Sequence, residues 1–224
     1  MGSGLGAAVQ CNRTVVHFIP DYAWSMSGGD SVLRLSGNDG ERADAARNRR
    51  LLLEAAVRIV ELYGPEKLTM DEVARHAGVG KGTLFRRFGN KTGLIHALLD
   101  QSGRDFQAAF MFGPPPLGPG AAPVDRLRAF GEASIRRCDF QGQLLRAAQE
   151  GPEALSHPTQ RLARQHLGLL LREAGTTGDL ELAAYELAAY LNAGLLIHLQ
   201  EERRMPHERL VAGWHELVER FLPR

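Results

Sequence analysis

The chain lacks most of the features that would place it in a chemical or compartmental class. It has two cysteines in 224 residues, Cys11 and Cys138. Two are too few for a disulfide framework and have no metal-type spacing, a pattern that fits a reducing cytoplasm. No apolar run reaches the ~18 residues of a membrane span, and the N-terminus has no basic flank, apolar stretch and small-residue cleavage site of a signal peptide. A dominant charge is missing too: 27 Lys and Arg against 26 Asp and Glu leave a formal net charge of +1. That excludes both a polybasic nucleic-acid coat and an acidic tail. Enzyme signatures are equally scarce. There is no G-x-S-x-G elbow. Gly80-Lys81-Gly82-Thr83 hints at a phosphate loop, but the position of its first glycine is Arg75, Gly82 follows the lysine where Ser or Thr is needed, and no strand precedes it. The eight histidines are scattered, with no His-x3-His or Cys-x2-Cys pair, so no metal and no cofactor is expected. The expectation is a soluble cytoplasmic protein that is not an enzyme and uses no membrane.

What is present is helical periodicity, beginning after a glycine-rich start. Residues 1–40 hold seven of the 25 glycines and show no period of 2 or 3.6, so a flexible arm is expected there, with Met26 as an alternative start. From Asp44, Leu52, Ala56, Ile59, Val60 and Tyr63 recur on one helical face, and Gly64-Pro65 stops that helix. Thr69-Met70-Asp71-Glu72 is a capping box opening a short helix that ends at Gly78. A second short helix runs from Gly80 to Phe88, and Asn90 caps a long one from Lys91 to about Phe112. The stretch from Gly113 to Ala122 interrupts the pattern. Helices are then expected through about Phe140, with turns around Gly142 and Gly151-Pro152, from Pro158 to before Gly175, from Asp179 to about Arg204, and from Pro206 to Leu222. No segment reads as a strand. The fold class is all-α: an N-terminal three-helix domain at 41–90 and a helical C-terminal domain at 91–224.

Leu68 to Phe88 carries the chemistry. Two short helices joined by Gly78-Val79-Gly80 make a helix-turn-helix by length, turn glycine and apolar pattern. With 100° per residue, Leu84 and Phe88 of the second helix point toward Val73 and Ala77. Gly82 and Arg86 point away, flanked by Thr83 and Phe85. Such a face suits a DNA major groove, where Arg86 can pair with guanine O6 and N7 and Phe85 can touch a thymine methyl. Lys81 and Lys91 sit near helix starts, where phosphates are favoured. Charge is distributed to match: residues 41–91 carry 11 basic and 7 acidic side chains, the remainder 16 and 19. Arg47, Arg49 and Arg50 are candidate phosphate or minor-groove contacts. An asymmetry of this size calls for two copies acting together.

Residues 49–99 closely resemble the N-terminal DNA-binding domain of the tetracycline-repressor (TetR) family. The likeness rests on Leu68-Thr69-Met70, Val73-Ala74, Ala77-Gly78-Val79, Lys81-Gly82-Thr83-Leu84-Phe85 with Phe88, and Asn90-Lys91. It covers about a quarter of the chain. It implies a homodimeric regulator, expected to be a repressor, that binds palindromic operator DNA through its third helix and is released by a small, hydrophobic effector. Carried over by position, it implies DNA contact for Thr69, Lys81, Gly82, Thr83, Phe85, Arg86, Arg87 and Lys91. The chain departs from the family pattern at Gly80, where Ser is frequent, at Phe85, where Tyr is usual, and at Arg87, where His is frequent.

For the C-terminal domain, the resemblance implies a dimer interface formed by the last two long helices, with Ala184, Leu187, Ala188, Leu191, Leu195, Trp214, Leu217 and Phe221 as candidates. Phe106, Phe110, Phe130, Cys138, His166 and His198 are candidate effector-pocket residues by type. Two other classes stay open: a helical ligand-binding protein whose helix-turn-helix is only structural, and a helical enzyme.

Overall fold

The computed structural model describes residues 39–148 and 158–223. Residues 1–38 of the expected arm, its Met26 start, Cys11 and the turn at Gly151-Pro152 lie outside the described residues; the arm's last two positions, 39 and 40, already belong to the first helix. Those residues form helices α1 (Asp39–Tyr63), α2 (Met70–Ala77), α3 (Lys81–Phe88), α4 (Lys91–Phe112), α5 (Pro123–Ala148), α6 (Pro158–Glu173), α7 (Leu180–Tyr190), α8 (Ala193–Glu201) and α9 (His207–Phe221), with one short 3-10 turn at Pro65–Lys67 and no strand. The fold is all-α, as the periodicity predicts.

Local chemistry sets the first boundaries. Thr69 Oγ1 accepts from Glu72 N at 3.2 Å and starts α2. The reciprocal half of the expected capping box is not made: the Glu72 carboxylate turns to Arg75 instead. Gly78 stops α2 at φ 65°, a left-handed conformation that costs any residue with a Cβ roughly 1–2 kcal/mol. Asn90 Oδ1 accepts from Gly93 N at 2.9 Å and starts α4.

Two apolar cores follow. The first joins Leu52, Ala56 and Ile59 of α1 to Val73 and Ala74 of α2, Leu84 of α3, Leu94, Ile95 and Leu98 of α4, and Phe140 and Leu144 at the end of α5. Tyr63, expected on the inner stripe of α1, is 57% exposed, because the helix ends there and its ring lies near His76 instead. The second core gathers Phe106 and Phe110 of α4 with Leu127 and Phe130 of α5, Leu167 and Leu171 of α6, Leu187 of α7, Leu196 of α8, and Leu210 and Trp214 of α9. Two polar ties fix α9 within it. Trp214 Nε1 donates to the Leu127 carbonyl at 3.0 Å, and Tyr190 Oη donates to the Leu210 carbonyl at 2.7 Å.

Three expectations need correction. Helix α5 does not break near Gly142 but runs to Ala148. A Cβ at Gly142 would lie 3.0 Å from Glu201 Oε1 and 3.4 Å from Ile197, so this glycine admits α8 rather than ending α5. The single helix expected from Asp179 to Arg204 is two helices, because the Asn192 side chain accepts from Leu195 N at 3.1 Å and starts α8 afresh. The stretch Leu180–Glu201 has a mean hydropathy of 1.3 over an 18-residue window, long and apolar enough for a membrane span by composition, yet its helical ladder is broken midway. Third, Ala184, Leu187 and Trp214, expected at a dimer interface, are buried inside the chain's own core. Ala188, Leu191, Leu217 and Phe221 are half-buried against that core, and Leu195 remains 42% exposed. Leu182 and Tyr185 are exposed as well. An α7 that is apolar on nearly every face needs cover on two sides, and that was the sequence signal for both residues.

His166 is wedged against Phe110 and Phe130, with ring centroids 4.6 and 5.6 Å away. Burial, reinforced by Arg126, pushes its pKa down from 6.5 to about 4. Between these values the unfolded chain takes up a proton that the folded protein refuses. Stability therefore falls as pH drops from about 6.5 to 4 and the loss levels off below. His166→Phe is expected to remove a loss on the order of 2 kcal/mol, read as a smaller difference between urea unfolding free energies at pH 7 and pH 4.5 than in the unaltered protein.

Candidate nucleic-acid interface

Leu84 is fully buried, and that one side chain orients α3. Its burial contributes roughly 1.5–3 kcal/mol and turns the opposite face outward. Gly82, Phe85, Arg86 and Arg87 are exposed, and Thr83 is half-buried. Phe85 is 47% exposed, so an aromatic ring stands in solvent beside guanidinium groups. A Cβ at Gly82 would meet nothing within 4 Å. Packing therefore does not require this glycine, although glycine inside a helix costs about 0.5–1 kcal/mol relative to alanine.

The cations fall into distinct settings. Lys81 Nζ lies 2.7 Å from Asp71 Oδ2, an exposed pair that ties the start of α3 to α2. Among the described residues Arg86 and Arg87 have no carboxylate partner. Thr69 is exposed at its cap, Arg47 is exposed, and Lys91 is half-buried in the first turn of α4. Arg49 is turned inward, its guanidinium 5.6 Å from the Phe88 ring centroid. Burial, and then the neighbouring charges of Arg104 and Arg87, hold its pKa below the ordinary value. Arg49, Arg87 and Arg104 are thus like charges near one another, with Asp100 opposing their effect on Arg49. Arg104 belongs to α4, a participant that the sequence pattern did not single out.

A cavity of about 500 Å³ lies between α4, α5, α6 and α7. Of the expected pocket residues, Phe106 and Phe130 line it. Phe110 and His166 stack in the second core behind that wall. Cys138 is buried in the core, with its thiol pushed up to about 11 by burial. His198 is exposed on α8, 3.1 Å from Glu202, and takes no part. Missed by type were Ser134, Arg137 and Gln141, which follow Phe130 at helical spacing and put one polar stripe of α5 on the wall. Their spacing was the available signal. Among the described residues no cluster of His, Cys, Asp and Glu could hold a metal ion.

Residues 52–98, which span the helix-turn-helix, match the family described as bacterial regulatory proteins, tetR family. An HTH-type transcriptional regulator of Staphylococcus aureus (strain USA300) is 33% identical over 60 residues, which are 27% of this chain and 32% of that protein. The chain thus matches about a third of the length of such curated relatives. A transcriptional regulator from Rhodococcus sp. Rha1 superposes with a TM-score of 0.55 at 19% identity, covering 77% of this chain and 95% of its own. A crystal structure described as a putative TetR-family transcriptional regulator from Rhodococcus sp. gives 0.55 at 20% identity, covering 80% of this chain and 100% of its own. These structures share the fold: an N-terminal helix-turn-helix domain and a helical C-terminal domain. The matched family and relatives are regulators rather than enzymes.

The openness at Gly82 generates a test with opposite signs for stability and binding. Gly82→Ala is expected to raise the unfolding free energy by up to about 1 kcal/mol while lowering affinity for duplex DNA. Denaturant melts and gel shifts on the same preparation read both.

Proposed function

We propose that this chain, whose residues 52–98 match the tetR family, is a cytoplasmic transcriptional regulator that binds operator DNA as a homodimer and acts as a repressor. The observation that carries this reading is the outer face of α3, where bare Gly82, exposed Phe85 and unpaired Arg86 stand opposite buried Leu84. Each α3 enters a major groove. The two half-sites of a palindrome then lie about one helical turn, ~34 Å, apart. Arg86 reads a base edge, Phe85 packs on a thymine methyl, and Lys81, Arg87, Lys91, Thr69 and Arg47 hold phosphates. The modest positive excess of residues 41–91 favours a dimer, since one copy offers few phosphate contacts.

The exposed apolar side chains Leu182 and Leu195 support a dimer contact along α7 and α8, with half-buried Leu191 beside them. A small effector with an apolar body occupies the cavity. Leu99, Gly103 and Phe106 of α4 line it, and the same helix packs Leu94, Ile95 and Leu98 against the reading domain. An effector that prefers a shifted α4 shifts the population toward a dimer whose two α3 helices no longer match the half-sites.

The decisive experiment is a gel shift with the DNA upstream of the coding region, with and without candidate compounds. Arg86→Ala is expected to cost ~1–3 kcal/mol of affinity and to relax specificity at one base pair. Lys91→Ala weakens binding to all sequences alike and reduces the salt dependence. Identical behaviour of the two variants would overturn these roles. Leu195→Glu is expected to raise the dimer dissociation constant by roughly tenfold or more, about 1.4 kcal/mol, read by sedimentation equilibrium, while leaving helix content unchanged.

A further inference from the structure

Arg137 lies in the middle of α5 and lines the cavity. Its guanidinium stacks 4.7 Å from the centroid of Phe106, and its Nε is shielded from solvent without a hydrogen-bond partner. No described carboxylate neutralises it. Asp139, two positions along α5, is engaged with His207 at 3.0 Å and with Gln200, and Asp100, the one carboxylate on the cavity wall, has no part in the electrostatics of Arg137. Arg137 as a whole is half-buried; an arginine does not escape desolvation by losing its proton, and a charge partly removed from water without an anion is unfavourable. Stacking on Phe106 offsets part of that cost and no more.

The rest of the wall has the same bias. It carries Arg104, Arg137 and Arg164 against one carboxylate, Asp100. Ser134 spends its hydroxyl on the Phe130 carbonyl at 2.8 Å. Gln141, one turn beyond Arg137 on the same face of α5, stays available to a ligand. Leu99, Phe106, Phe130 and Leu167 supply the apolar remainder.

We infer that the cavity takes an amphipathic monoanion, a carboxylate whose charged end sits on Arg137 with Gln141 beside it and whose apolar body lies against Phe106 and Phe130. The inference rests on the regulator reading above only for its consequence, release from DNA. A planar, forked guanidinium matches a carboxylate through two parallel hydrogen bonds. Burial lowers the pKa of Arg137, and a bound anion would restore it. Because Phe106 belongs to α4, a ligand bridging Arg137 and Phe106 bears on the helix that continues into the reading domain.

The test uses the full chain and probe pairs that share an apolar body and differ in a carboxylate against a neutral hydroxyl end, decanoate against decanol and naphthoate against naphthol, titrated calorimetrically. In at least one pair the acid is expected to bind at least tenfold more tightly than the alcohol. Arg137→Gln brings that ratio close to one, and Arg137→Lys retains part of it. The acid-to-alcohol ratio on the unaltered protein decides the matter even where the glutamine variant fails to fold. Equal affinity for acid and alcohol, no saturable binding of either acid, or equally tight binding of inorganic phosphate alone would overturn the inference. Gel shifts on the same protein separate the two readings. DNA binding without acid preference overturns the anion site alone, whereas acid preference without DNA binding overturns the regulator and leaves the site standing.

Discussion

Helix α4 gives its apolar stripe to two cores at once. Leu94, Ile95 and Leu98 are buried in the core shared with α1 and α3, while Phe106, Ala109 and Phe110 are buried in the core shared with α5 and α6. Each buried leucine or phenylalanine contributes roughly 1.5–3 kcal/mol, so both ends are held far more tightly than thermal energy could loosen. Cores of native density do not deform gradually. The proposed regulation uses this arrangement: a displacement of α4 at its second half would be carried to the Asn90 cap and to α3. Helix α5 braces the same arrangement from the other side, with Phe140 and Leu144 in the first core and Leu127 and Phe130 in the second.

Unbalanced positive charge appears at two places, with different physical meanings. On α3, Arg86 and Arg87 are exposed, and water pays most of their solvation, so leaving them unpaired costs little and leaves them free to meet phosphates and base edges. Arg137 is half-buried with its Nε shielded from solvent, and there the same guanidinium costs more to leave alone. The outer group fits a partner that arrives by long-range attraction, the inner one a ligand that fits a shaped cavity. Arg104 stands between them, on the cavity wall and close enough to Arg49 to lower its pKa.

The outline of the DNA-facing domain was legible in the sequence because its determinants are local. Thr69 and Asn90 cap through bonds three residues away, Gly78 stops a helix by its own φ, and the 100° step alone turns Gly82 and Arg86 away from Leu84. Where a residue's meaning depended on a distant partner, local pattern misled. Gly142 reads as a breaker until α8 is placed against it. Trp214 and Leu187 read as interface until α5 and α6 enclose them. His166 and Cys138 resemble ligand groups by type, yet they lie in the packed core beside the cavity rather than on its wall.

By itself, then, the sequence determined helices α2 to α4, the turn between α2 and α3, and the outward orientation of Gly82 and Arg86, since each follows from bonds and periodicities spanning a few residues. Only the tertiary structure decided which apolar face stays uncovered and which polar groups share a cavity. Phe106 and Arg137 are 31 positions apart in the chain; the packing of α4 on α5 brings them into contact, and the absence of a carboxylate from that contact can be seen only once every neighbouring helix is in place.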